Sequence, residues 1–333
     1  MSVELLNFIE TVLNGLMSGV MYSLVALGFV LIFKASGVFN FAQGVFALFA
    51  ALTLVGFQTG QIPFSHLINE LFGTNYHNWY PSLHSFLAIL LTIVTMIILA
   101  WLVERLVLRH LVNQEPIILF MATIGLAFVL EGVGDLMWGS DVKVLDVGIP
   151  SGGSIWLEEA TIGWASQGSE YYGMYIDVLN VWATLIAVIL VTALALFSQY
   201  TKTGRALRAV ADDHQAALSV GISLRSIWIL VWGISGFIAM VAGIMWGTES
   251  GVQFSLSLIA LKALPVLILG GFTSIPGAII GGLLIGVGEK LAEIYIGGLL
   301  DIGAIENWFA YVLALVFLLF RPQGLFGDKI IER

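Results

Sequence analysis

The sequence predicts an all-α, polytopic helical membrane protein with about nine transmembrane spans, within a range of roughly 8–10. Three observations carry this fold class. Of the 333 residues, 59% are hydrophobic and 11% charged, with a strongly positive mean hydropathy. A soluble domain carries about a quarter charged residues. The apolar runs approach the ~20 residues that cross ~30 Å of hydrocarbon as helix, and none shows the sustained two-residue alternation of a membrane strand. Cysteine is absent, which excludes disulfides, thiolate metal sites and a cysteine nucleophile. The opening Met1 to Glu10 has no basic residue ahead of an apolar core, unlike a cleaved signal peptide.

Nine apolar stretches follow in order: 11–33, 38–57, 85–108, 117–138, 179–200, 226–247, 256–272, 277–296 and 304–320. The first holds Gly15 and Gly19, four apart. The second follows after only a few residues and contains Asn40 and Gln43, so it reads either as a span or as a broken or re-entrant segment. Polar backbone at membrane depth is tolerated only where protein buries it or water reaches it. The fourth carries Glu131 and Asp135 on one face, towards its outer end. Ala239, Gly243 and Gly247 form a ladder in the sixth, and Gly282 and Gly286 repeat the four-residue spacing in the eighth. Small residues at this spacing let another helix backbone approach closely.

The basic residues set the orientation. Lys34, Arg105, Arg109, Lys202, Arg205, Arg208, Arg225, Arg321, Lys329 and Arg333 fall in alternate loops and at the C-terminus, whereas loops 58–84 and 139–178 contain only Lys143. The positive-inside rule then places the N-terminus outside and the C-terminus in the cytoplasm. The net charge is −9, and the 139–178 loop holds Asp141, Asp146, Glu158, Glu159, Glu170 and Asp177 on the outside. The whole chain, 1–333, reads as one transmembrane domain with a cytoplasmic loop at 201–225 and an extracytoplasmic loop at 139–178.

That cytoplasmic loop contains a polar island, 205–219, with helical character. Leu207, Val210 and Leu218 supply an apolar face with the alanines, and Arg208 and Asp212 have the i,i+4 spacing of a surface ion pair. Gly221 is placed to end the helix with a left-handed cap, and Ser223 to cap the next span. From spacing alone, the island is either a docking helix or an amphipathic helix on the bilayer surface. Charges at Lys262, Glu289, Lys290 and Glu293 sit within or beside spans, where burial is costly. They belong either to a transport path or to structural pairing, including a Lys262–Glu289 pair. The five histidines, at 66, 77, 84, 110 and 214, fit no metal-ligand spacing, so no metal is expected. No Gly-x-x-x-x-Gly-Lys-[Ser/Thr] sequence occurs, and the basic residues form no nucleic-acid stripe. No catalytic cluster is present.

One set of motifs runs in order through nearly the whole chain. It opens with Gly15 to Phe33 and Gly37-Val38-Phe39-Asn40-Phe41-Ala42-Gln43-Gly44, and continues through Ala122-Thr123-Ile124-Gly125-Leu126 and the polar island. It resumes at Gly270-Gly271-Phe272-Thr273-Ser274-Ile275-Pro276-Gly277-Ala278 and closes with Arg321-Pro322-Gln323-Gly324-Leu325-Phe326-Gly327. The combination resembles the branched-chain amino-acid permease family, inner-membrane subunits of ATP-binding-cassette importers of the LivH type. The chain departs from that pattern at Gln43, where His is also common, and at Val45, where an acidic residue is usual. Its 139–178 loop is also longer. These departures bear on the substrate more than on the family.

The resemblance implies a permease subunit without an ATPase of its own, and no cofactor in this chain. It implies a multi-pass protein of the bacterial inner membrane that carries branched-chain or related hydrophobic amino acids. Its partners would be a second homologous permease, two P-loop ATPases and a periplasmic or extracellular binding protein. The island resembles the coupling helix that docks into the ATPase, with Arg205, Arg208, Asp212, Gln215, Ala216, Ala217 and Gly221 as its contact residues. Asn40, Gln43 and Gly44, with Glu131 and Lys262, are candidates for the translocation path, and polar packing between helices is the alternative for the amides. Urea, a short amide or another small polar solute is the other substrate class. An ion-coupled transporter working alone through Glu131, Asp135 and Lys262 is the alternative of another kind.

Overall fold

The computed structural model describes residues 2–73, 80–111, 114–150, 152–153, 155–164, 173–212, 214–301, 303–321 and 323–326. His77, Glu170, Pro322, Gly327, Lys329, Arg333 and the Asp212 side chain lie outside them. The described residues form helices α1 (Val3–Ser36), α2 (Gln43–Thr59), α3 (Ser65–Phe72), α4 (Ser85–Leu106), α5 (Pro116–Trp138), α6 (Ile155–Ile162) and α7 (Val178–Tyr200). They continue with α8 (Lys202–Asp212), α9 (His214–Ser219), α10 (Leu224–Ser250), α11 (Ile259–Gly270), α12 (Ile275–Leu291), α13 (Gly298–Leu300) and α14 (Glu306–Phe320). Among them, six helices are long and apolar enough to cross a membrane, and three more apolar segments are shorter. The architecture is that of a polytopic α-helical membrane protein.

The chain divides into two compact units. One comprises Met1–Ala26, Ile149–Ala193 and Lys262–Arg333, and the other Leu27–Gly148 and Leu194–Leu261. In the first, the N-terminal part of α1 packs on α12. A Cβ on Gly19 would lie 2.7 Å from the Gly282 carbonyl oxygen, and one on Gly15 would lie 2.7 Å from Val287 Cα. Facing backbones fill the space that side chains would need. Ser274 starts α12 by accepting a hydrogen bond from the Gly277 amide at 3.0 Å, with Pro276 in the first turn where its missing N–H costs nothing. α12 leads through a wide turn at Ala292–Gly297 into α13, and Lys290 then pairs with Glu306 at the head of α14, 2.8 Å apart.

The second unit is built around α2. All fourteen residues from Gln43 to Gly56 are buried, as expected for a helix that is apolar on every side. Its 17 residues span about 26 Å at 1.5 Å per residue. The α10 ladder lies against it. A Cβ on Gly243 would overlap the Ala47 backbone, Ala239 is buried, and Gly247 faces Ala51 and Val252. Trp232 of α10 meets Phe46 edge-on, with ring centroids 5.9 Å apart. At the far end, Gly60 caps α2 in a left-handed conformation (φ +74°), and the Tyr80 hydroxyl donates to the Gly56 carbonyl at 3.1 Å. Burial raises the Tyr80 phenol above its ordinary pKa.

Peripheral helices are apolar on their exposed sides. Phe128 and Val129 of α5 are 69% and 61% exposed. Such surfaces suit lipid, which offers apolar side chains the same solvation as a protein interior.

Candidate functional site

The turn leading into α2 assembles a buried polar network within the second unit. Gly37 leaves α1 with φ +66°, a conformation that favours glycine. The Asn40 Oδ1 then accepts from the Ala42 amide at 3.1 Å, and its Nδ2 donates to Gln43 Oε1 at 3.2 Å. Gln43 Nε2 donates to the Ser235 carbonyl of α10 at 3.2 Å. The Ser235 hydroxyl lies 2.7 Å from Gln43 Oε1 and 3.1 Å from the Gly28 carbonyl of α1, so its one proton serves two acceptors.

Thr123 of α5 closes the same turn, accepting from the Phe41 amide at 3.1 Å with its hydroxyl 3.0 Å from the Phe39 carbonyl. Asn40, Gln43, Thr123 and Ser235 are all at most 1% exposed. Buried amides and hydroxyls are tolerated because they satisfy one another. Two glycines make room: a Cβ on Gly28 would overlap the Gln43 amide, and one on Gly44 would overlap the Ser257 carbonyl. The network carries no charge. It holds α1, α2, α5 and α10 in register, and in this conformation none of its four side chains reaches solvent.

The polar island forms two helices, α8 and α9. Thr201 starts α8 by accepting from the Gly204 amide at 2.9 Å, and Arg208 donates to the Gln199 carbonyl at the end of α7, 3.2 Å away. Leu207, Val210 and Ala217 are buried, whereas Leu218 is 53% exposed. The apolar face therefore uses Ala217 in place of the expected Leu218, because α9 presents Leu218 outward. Gln215, Ala216 and Gly221 are exposed beside it, as is Arg205. Gly221 ends α9 with φ +83°, and the Gly221 and Ile222 amides donate to the carbonyls of Leu218 and Ala217, both at 3.0 Å. This is a Schellman closure. Ser223 then caps α10, accepting from the Ser226 amide at 3.4 Å.

The intramembrane charges separate. Glu131 is half-buried and Asp135 exposed on α5, in the second unit, and neither forms an ion pair among the described residues. In the first unit Lys262 and Glu289 form no direct ion pair among the described residues but act on each other electrostatically beside Tyr22. Its hydroxyl hydrogen-bonds the buried Glu289 carboxylate, and Lys262 Nζ stands 5.8 Å from its ring centroid. Gly15 and Gly19 of α1 form one side, and Gly282 and Gly286 of α12 the other, of a single contact.

Sequence reasoning missed Ser235, Gly28 and Tyr22, and also the Glu104–Arg225 ion pair (3.8 Å) between the end of α4 and the start of α10. A small-residue cluster, Gly233-Ile234-Ser235-Gly236, was the available signal for Ser235. A lone acid among Arg105, Arg109 and Arg225 was the signal for Glu104.

Long apolar helices, a buried neutral polar latch within the second unit and a short polar helix pair in the same unit are those of a polytopic α-helical membrane protein. The chain belongs to the branched-chain amino-acid permease family: residues 11–321 match the family described as "Branched-chain amino acid transport system / permease component". It is 28% identical over 344 residues to the high-affinity branched-chain amino acid transport system permease protein LivH of Escherichia coli K12, covering 100% of each chain. It is 26% identical to BraD of Pseudomonas aeruginosa, named likewise, over 99% of each. A fructose import permease protein, FruF of Bifidobacterium longum, is 29% identical over 149 residues, 42% of this chain and 41% of its own.

Proposed function

We propose that this chain is the membrane-spanning permease subunit of an ATP-binding-cassette importer of the bacterial inner membrane, and that it moves branched-chain amino acids into the cytoplasm. Two separate P-loop ATPases supply the energy, a second homologous permease completes the pathway, and a soluble binding protein delivers substrate from outside. The observation that carries this reading is the full-length likeness to branched-chain amino acid permeases. The substrate class rests on the relatives that match end to end, since the fructose permease matches less than half of the chain.

Charge supports the orientation. One end of the second unit carries Arg105, Arg109, Arg205, Arg208 and Arg225, while Asp141 and Asp146 lie towards the other. The exposed α9 surface of Gln215, Ala216, Leu218 and Gly221 is then the coupling contact on the cytoplasmic face. Only two residues, Ile222 and Ser223, separate Gly221 from α10, so a push on α9 passes directly into that helix. α10 lies on α2 through Ala239, Gly243 and Gly247 and holds it through Ser235 and Gln43. Each nucleotide state of the ATPase thus favours one setting of the α10–α2 contact through its differential grip on α9. Asn40, Gln43 and Gly44 act in transport by fixing the head of α2, and they move with it.

Because the chain has no cysteine, Ala216→Cys and Leu218→Cys give single-thiol proteins without further engineering. Cross-linking in native membranes followed by mass spectrometry should recover a P-loop ATPase joined at these positions. Efficient recovery of the chain alone, with amino-acid transport driven by an ion gradient, would remove the reading.

A further inference from the structure

Within the second unit, the buried residues Ala88, Thr92, Met96, Ala100 and Glu104 recur every four positions along α4 and form one stripe. The stripe faces α10, where a Cβ on Gly236 would lie 3.7 Å from Met96 Cε. Met96 meets Gly236 while Glu104 meets Arg225, so the two helices run antiparallel. From Met96 to Glu104, and from Gly236 back to Trp228, the chain covers eight residues, about 12 Å of helix in each case. Glu104 and Trp228 therefore stand at one level, across the contact from each other.

At that level the hydrogen bonding is unfinished. Glu104 Oε2 and Trp228 Nε1 are both buried without a hydrogen-bond partner, an acceptor and a donor on facing helices. Glu104 Oε1 stands 3.8 Å from Arg225 Nε, about 1 Å longer than a charge-assisted bond. Arg225 and Trp228 are three residues apart and share one face of α10. The Arg105 guanidinium is engaged elsewhere, over the Trp101 ring. The groove alongside, which Arg109 and Leu224 also line, presents almost entirely apolar surface, so no water or solute completes these bonds. Polar atoms buried in this way are rare, because their desolvation goes uncompensated. Only a movement of one helix against the other satisfies them.

We propose that Glu104, Trp228 and Arg225 are positioning residues of the transport cycle, apart in this conformation and closed on one another in the other access state. There the Trp228 indole N–H donates to Glu104 Oε2, and Arg225 closes on Oε1. The inference rests on the transport reading above. The ~1 Å still to be covered at Arg225 lies within the helix shifts of ~1–2 Å by which packed interfaces switch. Arg225 is the second residue of α10, so a push on α9 reaches it before the rest of the helix. Bonds made in one state only favour that state, and the ATPase acts through α9 on the same balance. None of the three residues needs to touch the substrate.

The test uses the assembled complex in proteoliposomes, with 3-benzothienylalanine in place of Trp228. That side chain keeps the shape of the indole and exchanges its N–H for sulfur. Because the N–H has no partner in this conformation, the thermal midpoint of the chain should stay at the wild-type value. Turnover in ATP-driven leucine uptake should fall about tenfold, the effect of one buried bond lost from one state. Half-saturation by the substrate-loaded binding protein should not change. Glu104→Met, which removes the acceptor, should lower turnover at least as far. The two changes together should be no worse than Glu104→Met alone, since they break the same bond.

A lowered thermal midpoint would show that the N–H is already bonded here and would overturn the proposal. So would wild-type turnover in the Trp228 replacement, or losses that multiply when the two changes are combined. The Trp228 replacement decides the matter alone if Glu104→Met fails to assemble. Absence of ATP-driven leucine uptake by the wild-type complex would instead remove the transport reading, and this inference with it. Normal wild-type uptake with unaffected variants would remove the inference and leave the transport reading standing.

Discussion

The α1–α12 contact in the first unit and the network at the head of α2 in the second solve one problem by opposite means. Both bring helix backbones together where lipid supplies no hydrophobic drive for association. At Gly15, Gly19, Gly282 and Gly286, side chains are removed and the backbones themselves touch. At Asn40, Gln43, Thr123 and Ser235, polar side chains are inserted and bond across three helices and a turn. The first contact is sensitive above all to volume, with a single hydroxyl, that of Ser23, reaching across it to the Ile279 carbonyl at 3.2 Å. The second is sensitive to hydrogen bonding and fixes direction as well as distance.

The largest effect should come from adding volume to the seam. Gly282→Val places atoms where the Gly19 carbonyl and Ser23 amide lie, and neither backbone has room to retreat. A loss of about 3 kcal/mol or more is expected, seen as a steep fall in folded yield and thermal midpoint in detergent. A wild-type midpoint would break the comparison on its first side. Next, Gln43→Leu preserves volume and strips the latch, leaving Asn40 Nδ2 and the Ser235 carbonyl without their Gln43 partners. It should cost about 1–3 kcal/mol, and Gly282→Ser should not be rescued by its hydroxyl, because volume decides there.

A finer test uses the one place where the two devices meet, since Gly28 is small so that Gln43 can be polar. Gly28→Ala and Gln43→Ala should each destabilise, while the double variant should be less damaged than their sum by about 1 kcal/mol. Additive losses would mean that Gly28 is small for another reason. The smallest effect belongs to Gly125, which the family motif includes but which has no atom within 4 Å of a Cβ. Gly125→Ala should stay within about 0.5 kcal/mol of wild type in the same thermal assay.

The six long apolar helices were legible because long apolar runs leave the chain little choice in lipid. What the apolar signal misses is polar helix. α1 begins at Val3 instead of residue 11 because Glu4, Asn7 and Glu10 keep the first turns polar while the backbone stays helical. α3 and α6 hide in loops because their eight residues each fall far short of the ~20 of a span. The second span starts at Gln43 instead of residue 38 because Asn40 binds the Ala42 amide and turns the chain first. In the site, the residue types were legible and their partners were not. Gln43 and Ser235 are 192 residues apart, and no local spacing announces such a pair. Gly15, Gly19, Gly282 and Gly286 show the same limit: each four-residue spacing marks a smooth helix face without saying which other face it meets.

The most direct measurement of the central claim is uptake of radiolabelled L-leucine into proteoliposomes. One set would hold this chain with its co-purified permease and ATPase partners and the binding protein. The other would hold this chain alone under an imposed ion gradient. Uptake that requires ATP and every partner, and is abolished when α9 is uncoupled by Gly221→Pro, is the result expected. Gradient-driven uptake by the chain alone, unaffected by Gly221→Pro, would contradict the account.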